Sequence, residues 1–208
     1  MARPTRISIQ AILDAARTVF LEDGHAATTA EVARRAGVAE GSIFKRFATK
    51  AELFRSAMQA EMDEPDWIRT LVLAREEDDP REVLMQVGLQ AVAFFRRLMP
   101  LIMMQWSSGK EYGVPEQLQG PNAPPLRALK ILSAFFEREM RAERMRAHQP
   151  EIVARMLLGS IQNYVFFEIL LRAQAKMPLP VEDYLRGLID VLWHGVAATP
   201  KKRRGHRS

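Results

Sequence analysis

The residues of this chain best suited to chemistry lie in VAEGSIFKRF, residues 38–47, where Lys45 and Arg46 stand between Phe44 and Phe47, shortly after Gly37. On a helix of about 100° per residue, Ile43 and Phe47 fall within roughly 40° of each other. Gly41, Ser42, Lys45 and Arg46 then spread over the opposite side, and Phe44 lies on the flank. The apolar pair would pack inward while the small and basic residues face out. Arginine and lysine read guanine O6 and N7 in a major groove, and a helix of about eight residues is roughly 12 Å long, the width of that groove. On charge alone the same two cations are a solvated helix face, so the elements around them must decide.

Other chemistry is thinner. Glu137, Glu143, His148 and Glu151 cluster in FFEREMRAERMRAHQPE, but a di-iron bundle needs Glu-x-x-His pairs on two helices, and the five-residue step from Glu143 to His148 points those two apart. Asp190 and His194, four apart on one helix face, have the spacing to share a zinc, but a lone pair like this is more often a surface contact. There is no P-loop, dinucleotide fingerprint or Ser-His-Asp motif. No metal site, no cofactor and no enzymatic activity are expected.

The absence of cysteine excludes a disulfide framework, thiolate metal sites and cysteine nucleophiles, and fits a reducing cytoplasm. Thirty Lys and Arg stand against 25 Asp and Glu, but Lys201, Lys202, Arg203, Arg204 and Arg207 all lie in the last nine residues, so residues 1–199 balance. An argument for nucleic acid must therefore be local. The tail, residues 199–208, reads as a disordered basic end that adds nonspecific phosphate attraction. The start, MARPTRISIQ, has no apolar core of a signal peptide, and no run approaches the roughly 20 apolar residues of a membrane span.

Turn and cap signals divide the chain into helices, with almost no period-two strand pattern, so the fold class is all-α. A helix over about residues 8–23 carries Ile12, Ala16, Val19 and Phe20 on one stripe and ends near Gly24. Thr28 with Glu31, and Thr49 with Glu52, have the spacing of capping boxes. The first opens a helix over 29–36 stopped by Gly37; the second opens a longer helix that DEPD, residues 63–66, weakens or redirects. Asp79 and Pro80 start a long apolar helix to about Trp106, in which Pro100 removes one backbone hydrogen bond. Residues 107–125 read as a loop with at most a short turn near 115–118. Further helices are expected over 126–147, 150–176 and 180–197.

A capped helix ending at Gly37, a short turn and a second helix make a helix-turn-helix, whose second helix enters the groove. Residues 12–54, ILDAARTVFLEDGHAATTAEVARRAGVAEGSIFKRFATKAELF, resemble the DNA-binding signature of the TetR family of bacterial repressors. The register is carried by Ile12, Ala16, Phe20, Gly24, Thr29, Ala33, Ala36, Gly37, Val38, Gly41, Phe47, Lys50 and Leu53. Phe44 departs from the family's usual Tyr, exchanging a phosphate-bonding hydroxyl for packing on sugar or a thymine methyl. Ala39 departs from the usual Ser or Thr cap, a loss that typically costs about 1 kcal/mol of helix stability.

The resemblance implies nine or ten helices, a DNA-binding domain over 1–54 joined by helix four to about residue 70, and a ligand-binding and dimerisation domain over 71–198. It implies a homodimer on double-stranded operator DNA that is released by a small molecule, or, without an effector, a regulator under other control. The matched positions give Lys50 and Thr29 as phosphate contacts, Lys45 and Arg46 as base readers, Ser42 as a secondary reader, Gly41 as a point of close approach, and Glu40 and Phe44 on the same surface. Met and aromatic stripes suit a pocket for a hydrophobic or amphipathic ligand, with Phe95, Met99, Met103, Trp106, Phe136, Met140, Gln162, Asn163 and Phe166 as candidates. The same stripes read as plain core. The last two helices resemble the family's dimer-forming pair, which puts Leu157, Ile161, Val165, Leu188, Val191 and Leu192 at the interface.

Overall fold

The Ser8 hydroxyl accepts the Ala11 N–H at 3.1 Å and so starts α1 (Ile9–Asp23), whose stripe of Ile12, Ala16, Val19 and Phe20 is buried. Gly24, at φ 57°, ends it in a conformation that L side chains rarely adopt. The computed structural model describes residues 8–62, 65–107 and 120–195. Those residues form helices only, in agreement with the all-α expectation. A short 3-10 turn leads to α2 (Thr29–Ala36), a short α3 (Glu40–Phe44) and α4 (Lys50–Met62).

Both expected capping boxes form differently from their ideal. At α2 the Thr28 hydroxyl accepts the Glu31 N–H at 3.2 Å, but the Glu31 carboxylate does not reach back. It accepts instead from Arg34, at 2.6 and 2.8 Å, and from Arg35 at 2.9 Å. Two guanidinium groups one turn on outcompete a backbone N–H for a carboxylate. Those bonds, Arg34 first, hold the Glu31 carboxyl down to about 2. Arg35 also pairs with Glu22 of α1, so the cluster ties the first two helices together. At α4 the Thr49 hydroxyl accepts the Glu52 N–H at 3.0 Å, while Glu52 accepts the Ala48 N–H at 2.7 Å, one residue further back than in the ideal box.

Beyond Pro65, which caps it, α5 (Asp66–Leu73) is a separate helix that the sequence pattern did not distinguish from the end of α4. Asp79 caps α6 (Pro80–Ser107) by accepting the Arg81 N–H at 2.8 Å, and the helix runs through Pro100. Next come α7 (Pro124–Arg141), α8 (Pro150–Leu171), a single turn α9 (Ala173–Lys176) and α10 (Val181–His194). α7 begins two residues earlier than expected because Pro124 and Pro125 suit a first helical turn, where no N–H bond is lost. It stops at Arg141, and Glu143 follows at φ 56°. Arg172, at φ 48°, separates α8 from α9 within the helix expected to continue to 176. The expected turn near 115–118 and the basic tail lie outside the described residues.

One apolar core runs from Ile12 to Ile189 without a break, and α4 is part of both ends of it. Phe54 of α4 meets Phe20 of α1 edge to face, with ring centres 5.1 Å apart. Gly88 lets α10 approach α6: a Cβ there would lie 2.8 Å from a Leu185 methyl carbon. Tyr164 of α8 stacks on Tyr184 of α10 at 4.5 Å, and each hydroxyl donates to a backbone carbonyl, of Leu179 and Ser160 respectively.

Among the described residues the buried charged side chain is Glu139, which has no exposed surface. Its carboxylate takes Arg138 at 3.1 Å and Arg144 at 2.7 Å. Arg138 also donates to the Ala74 carbonyl at 2.9 Å and Arg144 to that of Glu76. This clasp fixes the α5–α6 connection onto the end of α7.

By length and composition the stretch Pro80–Met104 is apolar enough to cross a membrane, but half of its most apolar window is buried inside the fold, as in a core helix. Replacing a buried phenylalanine by alanine typically costs about 3–5 kcal/mol, so Phe54→Ala should lose about that much in urea unfolding, with Phe54→Leu losing distinctly less.

Candidate functional site

The turn between α2 and α3 is built by Gly37, left-handed at φ 67°. Its N–H reaches the Arg34 carbonyl at 3.3 Å, and the Val38 N–H reaches that of Ala33 at 3.0 Å. This pair of bonds stops α2 and turns the chain through Val38 and Ala39 into α3. Ala39 offers no side-chain cap, as expected, and the helix is five residues long where eight were expected. The missing turn is supplied by a bend, since the Arg46 and Phe47 N–H groups both reach the Ile43 carbonyl at 2.9 Å. Ile43 and Phe47 are buried and anchor both ends of that bend.

Outward, Glu40, Gly41, Phe44, Lys45 and Arg46 are exposed, and Thr29, Ser42 and Lys50 are half-buried beside them. Phe44 presents half of its surface to solvent, which suits contact with sugar or a thymine methyl. Lys45 and Arg46 have no ion-pair partner among the described residues, whereas Arg34 and Arg35 are both committed to Glu31. Lys45 and Arg46, the expected base readers, are thus exposed without a carboxylate partner among the described residues.

Thr29 is placed differently from a plain phosphate contact. Its hydroxyl donates to the Glu40 carboxylate at 2.6 Å. A hydroxyl has a single proton to donate, so Thr29 can donate to a phosphate only when Glu40 lets go. The link between residues 29 and 40 spans two helices and leaves no periodic trace in the sequence.

In the larger half, the expected pocket residues divide. Phe95 and Gln162 line an apolar cleft with about 740 Å³ of empty space, counting the part open to solvent. Phe136 is fully buried against Phe135 in the core. Met99 and Met140 are partly buried against that core, and Met103 and Phe166 are half-buried outside the cleft lining. Asn163 is exposed on α8 and is not part of the cleft lining. The Trp106 side chain lies outside the described residues. What the sequence reading missed is the other wall: Met58 of α4, Pro65, and Trp67 and Ile68 of α5 face Phe94, Phe95 and Leu98 of α6 and Leu158 of α8. A helix hidden behind DEPD could not be assigned to a pocket.

The interface residues also need correction. Leu157, Ile161 and Val165 have no exposed surface and belong to the protomer's own core. They sit on the side of α8 that meets α6 and α7, so a second chain cannot touch them. Ile152, Met156, Phe167, Leu170 and Leu171 form the exposed apolar stripe of α8 instead, all within about 100° around the helix. Val191 of α10 is exposed as expected, while Leu188 and Leu192 are half-buried. Ile152, Met156 and Val191 line one shared groove, so the α8 stripe and the end of α10 make a single face. Asp190, the zinc alternative, pairs with His194 at 3.0 Å and Arg81 at 3.4 Å. Among the described residues no group of three metal-binding side chains comes together.

Removing the Glu40 carboxylate takes one negative charge from the groove-facing surface and frees the Thr29 hydroxyl. Glu40→Ala should therefore tighten binding to unrelated duplexes several-fold in fluorescence anisotropy at 0.1 M salt, and Thr29→Val in that background should return part of the gain.

The sequence profile of bacterial regulatory proteins of the tetR family matches residues 12–57. Among solved structures, the chain is similar to the transcriptional regulator FadR of Bacillus subtilis, solved in complex with stearoyl-CoA. The identity there is 19%, the TM-score 0.68, and the alignment covers 91% of this chain and all of that one. Fatty acid degradation regulator FadR of Bacillus halodurans is 17% identical, with TM-score 0.67 over 94% of this chain and 98% of that one. A TetR-family transcriptional regulator from Mesorhizobium loti is 16% identical, with TM-score 0.67 over 88% and 93%. At such identities the structures establish a shared fold, and the profile match is confined to the helix-turn-helix segment. Residues 12–57, which hold the helix-turn-helix, thus carry the signature of the tetR family of bacterial regulatory proteins, within a fold shared with these regulators.

Proposed function

We propose that this DNA-binding regulator is a cytoplasmic, ligand-responsive repressor that binds a palindromic operator as a homodimer and is released by a hydrophobic or amphipathic small molecule. The observation that carries the reading is the composition of the cleft wall. Met58 lies on α4, the helix whose Phe54 is locked onto Phe20 of the DNA-binding head. A molecule wedged between α4, α5 and α6 therefore presses on the element that orients the head. For such a molecule to release DNA it must bind the released state more tightly than the DNA-bound one. The fatty-acid and acyl-CoA names of the FadR structures favour an apolar effector of this kind.

The dimer rests on the face formed by the α8 stripe and Val191. Five large apolar side chains of α8, each more than 40% exposed, are more than a solvated helix face needs. Gly159, Ser160 and Asn163 lie along the same stripe by helical phase, so two copies of α8 can approach closely at its middle. A two-fold pairing of this face presents two α3 helices, and hence calls for an inverted-repeat site.

Selection of bound duplexes from a random pool at near-physiological salt tests the reading; recovery of an inverted repeat is expected. Recovery of no motif, with binding that vanishes as salt rises, would leave only phosphate attraction and overturn it. With the recovered site as probe, Arg46→Ala should cost about 1–3 kcal/mol and relax preference at one position per half-site. A loss equal on all sequences would make Arg46 a phosphate contact.

A further inference from the structure

Glu40 is an acidic residue on a surface that is to meet a polyanion. It is exposed at the first position of α3, and its carboxylate accepts the Thr29 hydroxyl at 2.6 Å. In a helix-turn-helix the residues at the start of the second helix contact base edges, so Glu40 enters the groove with that helix. Gly41 beside it has open space where a Cβ would stand, which lets the start of α3 approach the bases closely. Phe44, one turn on and on the same side of the helix, adds a half-exposed apolar ring.

Docking changes the partners of both linked groups. When the Thr29 hydroxyl turns to a phosphate, the Glu40 carboxylate loses that bond as it is carried out of water, and a charged acceptor left unpaired there is costly. Thr29 is its donor among the described residues, so the replacement has to come from the duplex. Base edges in the major groove offer exocyclic amines at cytosine N4 and adenine N6, whereas guanine and thymine present acceptors to the same place. Adenine sets its N7 acceptor beside the amine, against the second carboxylate oxygen. Cytosine sets a C–H there, so a carboxylate favours cytosine.

We propose that Glu40 is a base reader that accepts from N4 of a cytosine, and that Thr29 exchanges the carboxylate for a phosphate as the complex forms. The proposal rests on the operator reading above. The exchange makes one base a condition of tight docking. With guanine or thymine at that position the carboxylate meets an acceptor and stays with Thr29, which then makes no phosphate contact.

The test is selection from a random duplex pool with the unaltered full chain and with Glu40→Gln, followed by fluorescence anisotropy on the recovered sites. Glutamine can still accept from Thr29, so a contact that serves solely to tie α2 to α3 survives this change and leaves the selected sequence as it was. As a base reader, glutamine instead pairs with adenine through N6 and N7. The unaltered chain should therefore recover an inverted repeat with one cytosine per half-site that becomes adenine with Glu40→Gln, the other positions staying the same. Replacing that cytosine by thymine should weaken binding of the unaltered chain about tenfold and that of Glu40→Ala by no more than about twofold. An inverted repeat in which no cytosine responds to either variant would overturn the role of Glu40 and leave the operator reading standing. Recovery of no inverted repeat by the unaltered chain would overturn the operator reading and the proposal with it.

Discussion

Helix α4 has to belong to two packing arrangements at once, and that requirement constrains the rest of the molecule. On one side Phe54 stands edge-on to Phe20 and makes α4 part of the head. On the other, Met58, a single turn later, is buried in the wall of the cleft. Interiors packed to this density do not deform continuously; they shift as units. A displacement of the Met58 end of α4 is therefore carried by the helix to the Phe54 end, and from there to α1 and the helix-turn-helix. The connection that follows α5 is tied down separately. The buried Glu139, with Arg138 and Arg144, fastens the α5–α6 connection onto α7, and removing one partner from such a buried cluster typically costs about 3–5 kcal/mol.

The reading surface follows the same economy of committed and uncommitted charge. Arg34 and Arg35 are spent on Glu31, and Arg35 also reaches Glu22, so the cations of α2 stabilise the head. Lys45 and Arg46, carried on the closing bend after α3, have no such partner among the described residues, which suits the base-reading role proposed for them. Glu40 restrains this surface: it holds the Thr29 hydroxyl and adds a negative charge beside the cations. A carboxylate there weakens attachment to arbitrary phosphates, which raises the share of affinity that must come from bases.

Much of this was legible in the chain because local rules govern it. The Ile43 and Phe47 pair, the Gly37 turn and the Asp79 cap each depend on residues within a few positions of one another, and each formed. What failed to show was whatever depends on distant residues. The boundary between α4 and α5 sits at a charged segment that reads as linker, and with α5 unseen, Trp67 and Ile68 could not be placed in a wall. Gln162 and Asn163 are adjacent in sequence, yet one borders the cleft and the other faces outward. Leu157, Ile161 and Val165 share a helical face, but periodicity cannot say whether that face meets its own α6 or a second copy. Burial decides for α6.

The absence of cysteine makes one measurement direct, since a single introduced thiol gives one label per protomer. Asp23, exposed at the end of α1 and away from α3, is a suitable position. With spin labels on Asp23→Cys, the distance between the two heads of the proposed dimer can be recorded on operator DNA and after release by a saturating apolar effector. Coupling through α4 predicts a displaced or broadened distance distribution in the released state. An unchanged distribution, with the operator nonetheless released, would contradict it and place the control of DNA binding outside α4.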